Sequence, residues 1–243
     1  MLRLILFCII FASGLLGFVL GKDPDGNNLV DTTTTAQFPF VTTLSMRLRG
    51  IIIARVCSGT IVSDRWVLSA AHCLAEATPE STSVFIGHGQ PGGTTEILAD
   101  TLITYPFYEP TTRINDIGLI RTRDQIVFND FIQPLPIGKE EVPGGVSAVT
   151  VGFTGTSVRW VFSSTLTNSE CIEAVGMPDS VLDSNICAMR IDEGDHGFIL
   201  PGSILMVGNT AAGILFWSIP SPEFIDSFIR LSEFHDWIQA VIQ

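Results

Sequence analysis

The stretch Cys57-Ser58-Gly59-Thr60-Ile61-Val62-Ser63-Asp64-Arg65-Trp66-Val67-Leu68-Ser69-Ala70-Ala71-His72-Cys73 decides how this chain folds. A small polar turn separates two runs that read as strands, Thr60 to Val62 and Trp66 to Leu68. The second run delivers His72 directly beside Cys73. Cys57 and Cys73 are 16 positions apart, close enough to staple the loop that carries the histidine. In the chain-entropy model a loop of that length is worth roughly 3 kcal/mol, with a mechanism that depends on the model. An imidazole held this firmly suggests a group that must sit in one place.

Outward from this stretch, short β-branched and aromatic runs alternate with turn residues. Phe40 to Ser45, Ile51 to Val56, Ser83 to Ile86, Thr101 to Thr104 and Ile117 to Ile120 precede a Pro- and Gly-rich connection from Gln125 to Gly145. Val146 to Phe153, Ser203 to Val207 and Ala212 to Phe216 follow it. Strands this short at this spacing imply a sandwich or a barrel and exclude an α/β fold. The period changes at the end of the chain. Leu231, Phe234, Trp237, Ile238 and Val241 fall on one face of a helix over 231–243, with Ser232 placed to cap it.

The chain has 243 residues, 46% of them hydrophobic, a globular composition large enough for one all-β domain or two small barrels. Its net charge of −12 argues against a nucleic-acid partner and against an anionic membrane surface. After Arg3, the run Leu4 to Leu20 is apolar apart from Ser13, Gly14 and Gly17, and Val19-Leu20-Gly21 has the small-residue pattern of a cleavage site. Residues 1–21 therefore read as a secretory signal peptide, with an uncleaved anchor as the alternative. Residues 22–36 are a short polar segment. Loss of Cys8 with the signal would leave Cys57, Cys73, Cys171 and Cys187, and an even count in an oxidising compartment implies two disulfides. Three pairings exist on paper; equal separations of 16 favour the local staples Cys57–Cys73 and Cys171–Cys187, and a four-thiolate zinc site would normally show close Cys pairs, of which there are none. There is no Asn-x-Ser/Thr acceptor for N-glycosylation.

The segment ending in Ala70-Ala71-His72-Cys73 resembles the histidine motif of the chymotrypsin/trypsin-like serine proteases. Gln37-Phe38-Pro39-Phe40 looks like that family's first strand, and Asn115-Asp116-Ile117-Gly118-Leu119-Ile120 looks like its aspartate motif. Cys171 with Cys187, the strand Gly213-Ile214-Leu215-Phe216-Trp217 and the closing helix with Trp237-Ile238 fall in the family's order. The resemblance runs from about residue 27 to the end. It implies an all-β fold of two six-stranded antiparallel barrels, at about 37–125 and 146–230, followed by the C-terminal α-helix. It also implies that His72 stands at the position of the catalytic base and Asp116 at that of the carboxylate orienting it.

The departures from the family pattern matter as much. The segment matching the nucleophile motif is Glu193-Gly194-Asp195-His196-Gly197-Phe198-Ile199, with His196 where active members carry serine. Losing that hydroxyl costs on the order of 10⁶ in turnover. The backbone N–H groups of Gly194 and His196 would remain as an oxyanion-hole remnant. Active members are cut to release an Ile-Val-Gly-Gly-like terminus, yet Asn27-Asn28-Leu29-Val30 at that position follows no basic residue. Asp195 is then expected to pair as in zymogens, here with Arg55. Arg190 stands at the base of the specificity pocket, so a basic substrate side chain is expected to meet like charge there. Phe216 replaces the small polar residue that supports the aspartate, Trp217 lines the cleft, and the cysteine pair bracketing the pocket is missing, with Asp192 at one of its positions.

His72 and His196 are expected to face each other. Two imidazoles so placed could hold a zinc or copper ion, but with two ligands a hydrogen bond is the preferred reading, so no metal and no other cofactor is expected. His88 and His235 read as surface or satisfied histidines. The function expected from the resemblance is a secreted, extracellular, catalytically inactive serine protease homologue. It would act as a binding or regulatory module on an unknown extracellular protein, with no nucleic acid and no membrane in the mature form. Arthropod homologues of this kind belong to immune, digestive and reproductive secretions. The alternatives are a residual serine-endopeptidase-family hydrolase acting by an unrecognised route, a weak esterase using His196, and a decoy that binds substrate or inhibitor without cutting.

Overall fold

The computed structural model describes residues 37–47, 55–155, 157–176, 181–191, 199–219 and 224–243, with the side chains of Arg55 and Ile219 excepted. The first six strands are β1 (Val41–Met46), β2 (Arg55–Ile61), β3 (Trp66–Ser69), β4 (Thr82–Ile86), β5 (Thr95–Thr104) and β6 (Gly118–Thr122). They close into an antiparallel barrel in the order β1-β2-β3-β6-β5-β4. The next six are β7 (Ser147–Phe153), β8 (Val158–Leu166), β9 (Asn185–Arg190), β10 (Ile204–Val207), β11 (Thr210–Ile219) and β12 (Ile225–Arg230). They close in the order β10-β11-β12-β9-β8-β7. The all-β fold of two six-stranded barrels is therefore the one the sequence implies.

Local chemistry explains the closure. β4 alternates, with Thr82, Val84 and Ile86 buried and Ser83 and Phe85 half-buried, as a strand with one face on a core must. Tight curvature needs local breaks in register, and these occur between Ala99 and Thr101, between Leu205 and Met206, and between Leu215 and Trp217. The last break puts Phe216 out of register in the strand that the resemblance places along the cleft.

Among the described residues, three α-helices accompany the strands. Helix α1 (Ala71–Leu74) is a single turn leaving β3. Helix α2 (Asn168–Val175) is capped reciprocally, Glu170 N donating to Thr167 Oγ1 at 3.2 Å and Thr167 N donating to Glu170 Oε2 at 2.8 Å. Helix α3 (Leu231–Ile242) buries Leu231, Phe234 and Ile238, with Trp237 and Val241 partly buried beside them. Tyr105 of the first barrel meets the rings of Phe234 and Trp237 edge-on, at 5.0 and 5.2 Å between centroids. Ser232 does not cap this helix. Strand β12 runs straight into α3, so the N-cap position falls on Arg230, and Ser232 lies inside the first turn with its Oγ buried and without a hydrogen-bond partner.

The two barrels are joined at Ser58. Its N–H donates to Pro201 O at 2.8 Å, and its Oγ accepts from Phe153 N at 2.8 Å and lies 3.1 Å from Ser203 Oγ. Ser69 Oγ donates to Ser58 O at 2.7 Å. Gly202 passes so close that a Cβ there would sit 2.1 Å from Ser58 O, and its φ of +84° is one that L side chains rarely adopt. One hydrophobic cluster runs through this seam, from Leu44, Leu68 and Ile120 through Val151 and Ile214 to Phe234.

His88, in the turn between β4 and β5, also touches both barrels. It shares a hydrogen bond of 2.9 Å with Thr43 Oγ1 and lies 4.9 Å from the Phe153 ring.

Two predictions follow from the seam. Gly202→Ala should cost about 2–4 kcal/mol in urea unfolding, because backbone strain adds to a clash with backbone that cannot move aside. Burial lowers the His88 pKa from 6.5, only partly offset by a hydrogen bond with the Phe85 backbone, so the folded state holds this imidazole neutral more firmly than the unfolded chain does. Its contribution is fully present above pH 6.5 and is lost as pH falls from 6.5 toward the lowered value. His88→Asn should therefore show a smaller loss of stability than the wild type between pH 7.5 and 5.5, measured as urea midpoints; equal losses would contradict this.

Candidate functional site

His72 is positioned by three local features. Strand β3 ends at Ser69, α1 starts at Ala71, and the Cys57–Cys73 disulfide closes the loop behind it. Asp116 arrives from the opposite side, at the entry to β6. There Asn115 takes φ +57°, its side-chain amide donates to Phe107 O at 2.9 Å, and Ile117 N donates to Asn115 O at 2.7 Å.

The two side chains meet closely. Asp116 Oδ1 accepts from His72 N at 2.7 Å, and Asp116 Oδ2 lies 2.6 Å from His72 Nδ1. The carboxylate is fully buried, while the imidazole side chain keeps 14% of its exposure. A buried carboxylate bonded both to the histidine's backbone and to its ring fixes the ring's rotation. It also keeps a proton on Nδ1, leaving Nε2 as the basic nitrogen. Phe216 supplies no hydroxyl to this carboxylate; its ring is buried beside Trp217, 6.4 Å between centroids, and its carbonyl accepts from Arg113 Nη1 at 3.4 Å. Trp217 is half-buried against the core.

Gly194, Asp195 and His196 lie outside the described residues, as do Asp192 and the side chain of Arg55, so the expected Arg55–Asp195 pair and the His72–His196 contact fall there too. Among the described residues one group of three metal-donor atoms falls together, on Cys57, His72 and Cys73, and its two sulfurs are already bonded to each other. The second disulfide, Cys171–Cys187, ties α2 to β9.

Arg190 corrects its sequence reading. At the end of β9 its guanidinium forms a bidentate ion pair with Asp226 of β12, Nε to Oδ2 at 2.8 Å and Nη2 to Oδ1 at 2.9 Å. The side chains are 2% and 0% exposed, and the Phe224 ring lies 5.3 Å from the guanidinium carbon. The position therefore does not offer an open positive charge. A carboxylate within the same barrel answers it, because β9 and β12 are hydrogen-bonded neighbours with Met189 opposite Ile225. Asp226 was missed in the sequence, where its one signal is a lone charge in the apolar run Phe224-Ile225-Asp226-Ser227-Phe228-Ile229.

Removing either carboxylate or guanidinium breaks a bidentate ion pair that is shielded from water. Asp226→Ala should cost about 3–5 kcal/mol in urea unfolding, and the double change Arg190→Met with Asp226→Leu should recover most of it.

The chain matches the family described as Trypsin over residues 30–238. A trypsin of Phaedon cochleariae is 26% identical over 198 residues, covering 75% of this chain and 77% of that protein. A collagenase of Hypoderma lineatum is 27% identical over 223 residues, covering 84% and 83%. Among solved structures, the scabies mite inactivated protease paralogue S-D1 superposes with a TM-score of 0.75 at 17% identity, covering 86% of this chain and 94% of that one. With its twin closed barrels, its His72–Asp116 pair and its two disulfides in the order this family carries them, the chain belongs to the trypsin family of serine protease domains.

Proposed function

We propose that this chain is a secreted, non-catalytic member of the trypsin family that acts as a binding or regulatory module on an extracellular protein. The observation that carries this reading is the sequence Gly194-Asp195-His196-Gly197, which places an imidazole where the family's mechanism needs a hydroxyl. The His72–Asp116 pair retains the geometry of a base and its orienting carboxylate, but a base without a nucleophile to activate supplies little rate. The buried Arg190–Asp226 pair supports the same reading. It gives Arg190, which the resemblance sets at the base of the specificity pocket, a buried carboxylate of the protein's own. Secretion is supported by the apolar run before Lys22 and by the two disulfides, which persist in oxidising compartments.

A second reading, a decoy that binds a peptide along the cleft without cutting it, draws on half-buried Trp217 beside the register break at Phe216. With Arg190 and Asp226 paired, such a peptide would lie along β11 instead of inserting a side chain. Binding of a peptide-type protease inhibitor that is lost in Trp217→Ala would favour it.

The leading reading is tested on protein recovered from the culture medium of secreting cells. A fluorophosphonate probe should leave it unlabelled, and its hydrolysis of p-nitrophenyl acetate should be the same in His72→Ala. Labelling, or ester hydrolysis that disappears in His72→Ala or His196→Ala, would replace the module with an enzyme.

A further inference from the structure

A cavity of about 360 Å³ opens in the second barrel and shares no residue with the His72–Asp116 or Arg190–Asp226 pairs. It lies between the segment Ile137–Pro143, the ends of β10 and β11, and the start of α3. Val142, Ile186, Val207 and Ala212 give it an apolar wall, and Arg230 with Ser232 gives it a polar one. Its volume is at the low end of ligand pockets, which run from roughly 300 to 1,000 Å³.

The charge on the polar wall is answered by one exposed carboxylate. Arg230 is 6% exposed, yet its guanidinium is held mainly by neutral acceptors. Asn185 O accepts at 2.7 and 3.1 Å, Asp183 O at 3.1 Å, Val142 O at 3.3 Å and Asn168 Oδ1 at 3.4 Å. Its carboxylate contact is Glu141 Oε1 at 3.5 Å, on a side chain 78% exposed and therefore well screened. Arg190, by contrast, has a buried bidentate carboxylate. Beside Arg230, the Ser232 Oγ is buried with no partner, and the first turn of α3 has no side-chain cap. A buried cation and the uncapped first turn of a 12-residue helix thus border an apolar chamber.

We propose that this cavity binds a medium-chain alkyl monocarboxylate, its carboxylate on Arg230 and its hydrocarbon body against Val142, Ile186, Val207 and Ala212. Glu141 is the internal competitor that the ligand's carboxylate displaces. The exposed rim residues Lys139 and Glu140 carry opposite charges and leave the selection to the buried wall.

Octanoate is the probe, titrated calorimetrically and by thermal unfolding against the full secreted protein, with octanol and octylamine as controls. One-site binding of octanoate that raises the unfolding midpoint is expected, with octanol and octylamine at least tenfold weaker. Glu141→Gln should tighten octanoate by about two- to fivefold, because it removes a screened competitor from Arg230. Ala212→Leu, which fills the chamber, should abolish binding with an unchanged circular dichroism spectrum; Val207→Phe blocks the same space from a strand end if the first variant fails to fold. Octanol binding as tightly as octanoate, Glu141→Gln binding no more tightly than wild type, or a folded filled variant that still binds octanoate would each overturn the proposal. So would the absence of octanoate binding altogether.

Discussion

The hydrogen bonds converging on Ser58 are the constraint on which the rest of the molecule depends. A closed barrel satisfies its own backbone, so two of them have no intrinsic reason to stay in one orientation. Here one buried residue of β2 engages Pro201, Phe153 and Ser203 of the second barrel and Ser69 of its own. Buried polar groups of this kind are costly unless every partner is in place, which makes the arrangement specific as well as stable. Ser58 is also the neighbour of Cys57. The covalent staple behind His72 and the seam between barrels are thus adjacent links of one chain segment, and the histidine's position is referred to both barrels at once.

Burial of charge follows two different designs in the second barrel. Arg190 is matched by a carboxylate from the adjacent strand, so the charges cancel within the sheet. Arg230 is dispersed over carbonyls that carry only partial charge, with one exposed carboxylate nearby. The first guanidinium has its counter-charge buried beside it, and the second has its counter-charge on an exposed side chain at the edge of the chamber beside α3.

The segments legible in the sequence were those with strong local pattern. Histidine beside cysteine, the aspartate motif and the face formed by Leu231, Phe234 and Ile238 carry their meaning within a few residues. Strand β8 is hard to read because Val158 to Leu166 mixes Arg, Ser and Thr into its alternation, and β9 because Asn185 to Arg190 is short and buried at every position but Met189. Helix α2 left a readable signature, Thr167 and Glu170 three apart with Gly176 closing it, but it has a single buried residue, Cys171. Pairings across strands were out of reach. Nothing local to Arg190 announces Asp226, which is 36 residues away and is brought to it by barrel closure. The cap on α3 failed for the opposite reason: local pattern favoured Ser232, and the continuous path from β12 overrode it.

The Arg190–Asp226 pair has a consequence for how this lineage can change. Either residue exchanged alone leaves a buried charge without its counterpart, so each intermediate on a one-step route is less stable than either end point. The two positions are therefore expected to change together, since a paired change avoids the less stable intermediate. Relatives that share one member of the pair should therefore share the other.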